Sequence, residues 1–99
     1  ASDEVTVYVN KTTSVAVNAE ALARSIVLYN SLSCNVVSED GLTYFIYSKP
    51  KDDGKTYANY TYVYKNNEDF WIVEFSVEER LADRYDDEIK QWAKSVELN

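Results

Sequence analysis

The sequence predicts an α+β fold in one domain over residues 1–99: an antiparallel sheet of about six strands with two helices packed on it, in the order ββαββββα. Three observations lead there. Residues 56–77 hold two runs of alternating side chains around a polar turn, TYANYTYVYK, NNED and FWIVEFSV, which is the pattern of a β-hairpin. Asp40-Gly41 stands between two further apolar runs, and Asp-Gly is a strong short-hairpin signal because a type I′ turn needs positive φ at both central residues. Residues 19–31 and 77–96 instead repeat apolar side chains at spacings of three and four, which is helical.

From the N-terminus, Val5-Thr-Val-Tyr-Val9 alternates cleanly and reads as a strand, with Val15-Ala-Val17 a shorter second one. A turn within residues 10–13 makes them a hairpin and puts Val5, Val7, Val9, Val15 and Val17 on one face. Asn18 caps the first helix, and Glu20 in its first turn complements the helix dipole. Leu22, Ile26 and Tyr29 form the apolar stripe, flanked by Ala19, Ala23 and Leu32, and Glu20 stands one turn before Arg24 as an ion pair. The Asp40-Gly41 turn joins residues 35–39 to 42–48 and opposes Val37 to Tyr44 and Val36 to Phe45. Both faces of that hairpin carry apolar groups, so the pattern does not choose the inward one. Residues 49–55 hold the single Pro and the second Gly among charges and read as an exposed loop.

In the central hairpin, folding back at Asn67-Glu68 sets Tyr64 opposite Trp71, Tyr62 opposite Val73, Tyr60 opposite Phe75 and Ala58 opposite Val77. The other face pairs Thr61 with Glu74 and Asn59 with Ser76 and is expected to meet water, giving a two-layer domain. A slip of one residue would flip a whole strand, so the register is well specified. The tyrosine stripe reads as core, because a base-stacking platform should also carry a basic groove. Ser76-Val-Glu-Glu79 fits a capping box opening the last helix, whose stripe is Leu81, Tyr85, Ile89, Trp92 and Val96. Trp71 and Trp92 are both expected in the core.

The net charge of −7 and a pI near 4.4 disfavour phosphate backbones and anionic membranes. No apolar run is long enough to span a membrane, and the polar, acidic first residues do not read as a signal peptide. The chain begins at Ala1 and holds no Met, as a processed chain or an excised domain would. It has no His, which removes the commonest general base and metal ligand. Its two Gly cannot build a phosphate loop, and no cofactor motif is present. Cys34, the single cysteine, sits in a strand-like run and is expected to be buried and inert. Asp52 and Asp53 lack the alternating carboxylates of a calcium loop. Asn10-Lys-Thr12 and Asn59-Tyr-Thr61 match the glycosylation acceptor pattern, with both Asn expected on the surface.

Glu78, Glu79, Asp83, Asp86, Asp87 and Glu88 crowd the last helix. Of these, Glu79, Asp83, Asp86 and Asp87 are the candidate partner-binding face, and a protein is the expected partner, with no nucleic acid and no membrane insertion. Catalytic use of such carboxylates requires one of them to be desolvated.

One resemblance covers residues 34–98. A strand and Gly41-Leu-Thr-Tyr44 lead to a Tyr-rich strand from Tyr57 to Tyr64; Phe70-Trp-Ile-Val-Glu-Phe-Ser-Val77, an acidic helix and a closing Lys94-Ser-Val-Glu-Leu98 follow. This order resembles the C-terminal part of the PsbP/Mog1-like superfamily, and the helix over residues 19–31 also has a counterpart there. The resemblance implies a curved antiparallel sheet with packed helices, a non-enzymatic role and an extracytoplasmic or organellar setting. It carries over no functional residue, and fold-level analogy alone does not establish function. The expected function is therefore a non-catalytic binding or accessory domain, with a small acidic phage-type inhibitor mimicking nucleic-acid charge as the alternative and a carboxylate enzyme third. The accessory reading expects scattered charge and an apolar outer patch around Val63, Phe70 and Ile72. The inhibitor reading needs a converging acidic stripe, and the enzyme reading a pocket with a buried carboxylate.

Overall fold

The computed structural model describes residues 4–96. Its elements are β1 (Val5–Thr13), α1 (Ala19–Tyr29), β2 (Val37–Glu39), β3 (Leu42–Pro50), β4 (Thr56–Asn66), β5 (Asp69–Glu78), a 3-10 turn (Glu79–Leu81) and α2 (Ala82–Lys94). The five strands form one antiparallel sheet in the order β1-β5-β4-β3-β2. The α+β class thus holds, with one strand fewer than the sequence suggests.

The β4–β5 hairpin has the expected register: Ala58 faces Val77, Tyr60 Phe75, Tyr62 Val73 and Tyr64 Trp71. Asn67 turns the chain in the left-handed region at φ 59°. Asp40 and Gly41, at φ 54° and 77°, make the second tight turn and set Val37 opposite Tyr44. Tyr44, Ala58, Tyr60, Tyr62, Val73, Phe75 and Val77 then share one face, which Leu81 of the 3-10 turn and Tyr85, Ile89 and Ala93 of α2 cover. Tyr44 stacks on Tyr62 at 4.8 Å, and Tyr62 meets Phe75 edge-on at 5.9 Å. Tyr64 Oη donates to the Ala93 carbonyl at 2.8 Å, satisfying an acceptor in the last turn of α2.

The opposite face is largely covered as well. Asn59, Thr61 and Ser76 are buried, and α1 packs Ala23, Leu22, Ile26 and Val27 over Phe45, Val63 and Phe70. The molecule is a helix–sheet–helix sandwich and not two layers. The hairpin with apolar groups on both sides serves both: Val37 and Tyr44 join the α2 core, Val36 and Phe45 the α1 core. Phe70 and Val63 are the residues that required a cover on this side.

Three local expectations fail, each for a physical reason. Val15 and Val17 form no strand and are exposed; β1 runs on through residues 10–13 because β5 pairs with it as far as Thr13↔Asp69, helped by Lys11 at 3.4 Å from Asp69. The segment after β1 crosses the sheet edge to reach α1, and the small Ala16 between the valines is the residue that packs inward. Ser76 caps no helix. β5 continues to Glu78, Ser76 is buried within it, and the 3-10 turn makes the corner before α2 without a side-chain cap. Tyr29 is outside the α1 stripe and almost fully exposed, since Ala23, Ile26 and Val27 set the buried side of the helix. Trp71 and Trp92 are each half-buried, Trp71 beneath the Lys11 ammonium at 5.5 Å and Trp92 stacked on Phe75. Of the closing tail, Glu97 and Leu98 lie outside the described residues.

α1 starts as expected: Asn18 Oδ1 accepts the Ala21 N–H at 2.8 Å, and Arg24 meets Glu20 at 2.7 Å. It ends in a Schellman motif, with the Leu32 N–H donating to Val27 O at 3.0 Å and the Ser31 N–H to Leu28 O at 3.2 Å. Ser31 occupies the left-handed position at φ 54°, which favours glycine. Ser31→Gly is therefore expected to raise stability by about 0.5–1 kcal/mol, read as a higher urea midpoint; an unchanged or lower midpoint would contradict the cap.

Candidate functional site

α1 is 11 residues long and stops at the Ser31 turn, so it covers only part of its face of the sheet. Beside it lies a cleft of about 520 Å³, within the size range of small-molecule sites. Ile26, Asn30 and Leu32 form its wall, and Phe45, Tyr47, Thr61, Ile72 and Glu74 its floor. Ser48 and Lys49 complete it at the end of β3.

The floor follows from strand register. Phe45 faces Thr61, and Thr61 faces Glu74, so one cross-strand row carries an aromatic ring, a hydroxyl and a carboxylate. Tyr47 sits one alternation further along β3 on the same face. Its hydroxyl donates to Glu74 Oε1 at 2.7 Å, and Thr61 Oγ1 donates to the same oxygen at 2.8 Å. Among the described residues Glu74 Oε2 has no hydrogen-bond partner. Burial pushes the Tyr47 phenol well above the usual tyrosine range, and the bond to Glu74 adds to this. Tyr47 thus stays a proton donor at neutral pH and keeps the carboxylate oriented.

Thr61 and Glu74 are expected from the alternation to face water. The signal that marks them is Glu74 itself, a lone carboxylate inside the apolar run FWIVEFSV, in a strand that the sheet order makes interior. A charge there needs partners on its own face, and Thr61 in its row and Tyr47 in the next supply them. Glu74 is the single carboxylate among the described residues that line the cleft, and a paired acid and base would need a second.

The acidic residues of the last helix are not brought together in this way. Ser48 Oγ donates to Glu79 Oε2 at 2.6 Å, which holds Glu79 against the end of β3. Asp86 is half-buried beside the Tyr60 hydroxyl and lies 3.9 Å from Lys90. Asp83 and Asp87 project to solvent, with Arg84 between them 3.8 Å from Glu4. Glu78 pairs with Arg80 at 3.0 Å and Lys55 at 3.6 Å. Basic side chains therefore interleave this face.

The other candidates resolve simply. Val63 and Phe70 lie under α1 and Ile72 lines the cleft, so they form no outer apolar patch. Asn59 is buried, which removes its acceptor pattern from the surface, while Asn10 is exposed on β1. Cys34 lies in the irregular segment before β2, half-buried against the α1 core, and burial pushes its thiol up, away from the reactive thiolate. Asp53 accepts from Tyr57 Oη at 2.7 Å and the Lys55 N–H at 2.9 Å, bonds that hold its carboxyl below the usual range. Among the described residues no cluster of acidic or Cys side chains is arranged for a metal, and no helix is long and apolar enough to cross a membrane. Comparison with protein-family models and with curated proteins finds no match to the chain.

Burial pushes Tyr60 and Tyr64 up to about 12 and raises Tyr47 and Tyr62 as well. A pKa raised by folding stabilises the protein below the unfolded value near 10, and that contribution is lost as pH climbs towards 12. Titration at 295 nm to pH 11 should therefore ionise, in the native state, about four fewer than the nine tyrosines that titrate in denaturant. Full ionisation by pH 11 without unfolding would contradict this burial.

Proposed function

We propose that the chain is a non-catalytic binding domain of the PsbP/Mog1-like kind, and that its binding element is the cleft between α1 and the sheet. The observation that carries this reading is the floor of the cleft: an apolar surface with one oriented carboxylate, Glu74, held by Tyr47 and Thr61. Apolar walls with few fixed polar groups are the usual make-up of a small-molecule site. Kinship with the superfamily is supported by the order of the Tyr-rich β4, the apolar β5 and the acidic α2. A non-enzymatic role is supported by the absence of His and by the single carboxylate in the cleft. The exposed Asp83 and Asp87 are the part of the acidic face on which a protein partner would dock. The interleaved Arg84 and Lys90 weigh against the continuous negative stripe of a nucleic-acid mimic.

The test uses the neutral dye Nile red, whose fluorescence rises in apolar surroundings. Saturable enhancement is expected with the native chain and its loss with Asn30→Trp, which places a large ring into the cleft from an exposed wall position. Equal enhancement in both proteins would overturn the cleft as the binding element.

A further inference from the structure

We infer that the ligand of this cleft carries a protonated amine that seats on Glu74, with an apolar body lying against Ile26, Leu32 and Ile72. The inference rests on the reading of the cleft as the binding element and adds the chemical class of what it holds.

The argument is a count of donors and acceptors. The hydroxyl donors on the lining side chains are engaged, as is one N–H of the exposed Asn30 amide. Tyr47 and Thr61 donate to Glu74 Oε1, Ser48 donates to Glu79, and the Asn30 amide donates to the Ile26 carbonyl at 2.9 Å. Glu74 Oε2 remains as an acceptor. The hydroxyls beside Glu74 are engaged and its second oxygen is not, so this point of the cleft selects a group that donates. The partner that best repays the desolvation of a carboxylate is a cation.

Two further features act in the same direction. Tyr47 is a half-buried ring in the floor beside Glu74, and an aromatic face attracts ammonium groups. The chain carries a net charge of −7, which raises the local concentration of cations and lowers that of anions. Lys49 is the one opposing charge. It is exposed at the end of β3, where water and salt screen it, whereas Glu74 is half-buried in an interior strand. An acid ligand would have to use Lys49 and place its carboxylate near Glu74.

The experiment titrates 15N-labelled protein with 4-phenylbutylamine, 4-phenylbutanol and 4-phenylbutyrate, three probes of one apolar body and different heads. The expected result is amide shifts at Phe45, Tyr47, Thr61, Ile72 and Glu74, with the amine binding about tenfold more tightly than the alcohol and the acid weakest. Glu74→Gln should bring the amine to the level of the alcohol and leave the alcohol unchanged. The native series decides the inference even if that variant fails to fold. Equal binding of amine and alcohol, with shifts in the cleft, would overturn the amine assignment and leave the cleft reading intact. Tightest binding by the acid would overturn it in favour of Lys49. No cleft shifts with any of the three would remove the binding element and the inference with it.

Discussion

The pairing of β4 with β5 is the constraint on which the rest of the structure depends. It sets ten residues of one strand against ten of the other, from Tyr57↔Glu78 to Asn66↔Asp69, and both strands are interior. Once that register is set, side-chain alternation sorts the residues into two faces of different chemistry. One face receives Ala58, Tyr60, Tyr62, Val73, Phe75 and Val77 and demands a broad apolar cover, which Leu81 of the 3-10 turn and Tyr85 and Ile89 of α2 provide. The other receives Val63 and Phe70 beside Asn59, Thr61, Glu74 and Ser76, a half-apolar surface that a short helix covers only in part. A one-residue slip would turn one of the two strands over, bringing either Glu74 under α2 or the tyrosines to the α1 side, so fold and cleft depend on the same register.

The cleft is a consequence of where α1 ends. The chain reverses at Ser31, in a left-handed conformation that a non-glycine residue adopts at some cost, and leaves Ile26, Asn30 and Leu32 as a wall and not a lid. A helix carried further across Thr61 and Glu74 would bury the carboxylate, which costs several kcal/mol without a counter-charge. Stopping short leaves Glu74 reachable, and the bonds from Tyr47 and Thr61 keep it oriented. Polar groups held in a defined arrangement on a strand floor are what a binding site requires, because rigid elements position a contact better than loops do.

Much of this was legible in the residues, and the parts that were not share a cause. Strong local periodicity with its own turn chemistry transferred directly: the Tyr64↔Trp71 register, the Asp40-Gly41 turn with both φ values positive, and the Asn18 cap all appear as read. What failed depended on long-range partners. Val15-Ala-Val17 alternates like a strand, but β1 stays paired to β5 through Thr13, so the chain makes no turn at residues 10–13 to fold back on β1. Ser76 and Glu79 match a capping box, yet Ser76 lies opposite Asn59 in the middle of the sheet. Thr61 and Glu74 look like a solvent-facing pair until α1 is placed over that side. Phe70 and Val63 were the available warning, since a face with two large apolar groups in its central strands rarely stays open to water. The acidic residues of the 3-10 turn and α2 show the converse: Glu79, Asp83, Asp86 and Asp87 are close in sequence but are divided among Ser48, Tyr60, Lys90 and solvent.

Amide hydrogen exchange, followed residue by residue by NMR, tests the central claim most directly. If β4 and β5 organise the fold, the amides of residues 60–64 and 73–77 exchange slowest, and those of β2 and the edge strand β1 open sooner. Exchange across β4 as fast as that of β1 would mean that the hairpin is not the stable centre, and would contradict the account.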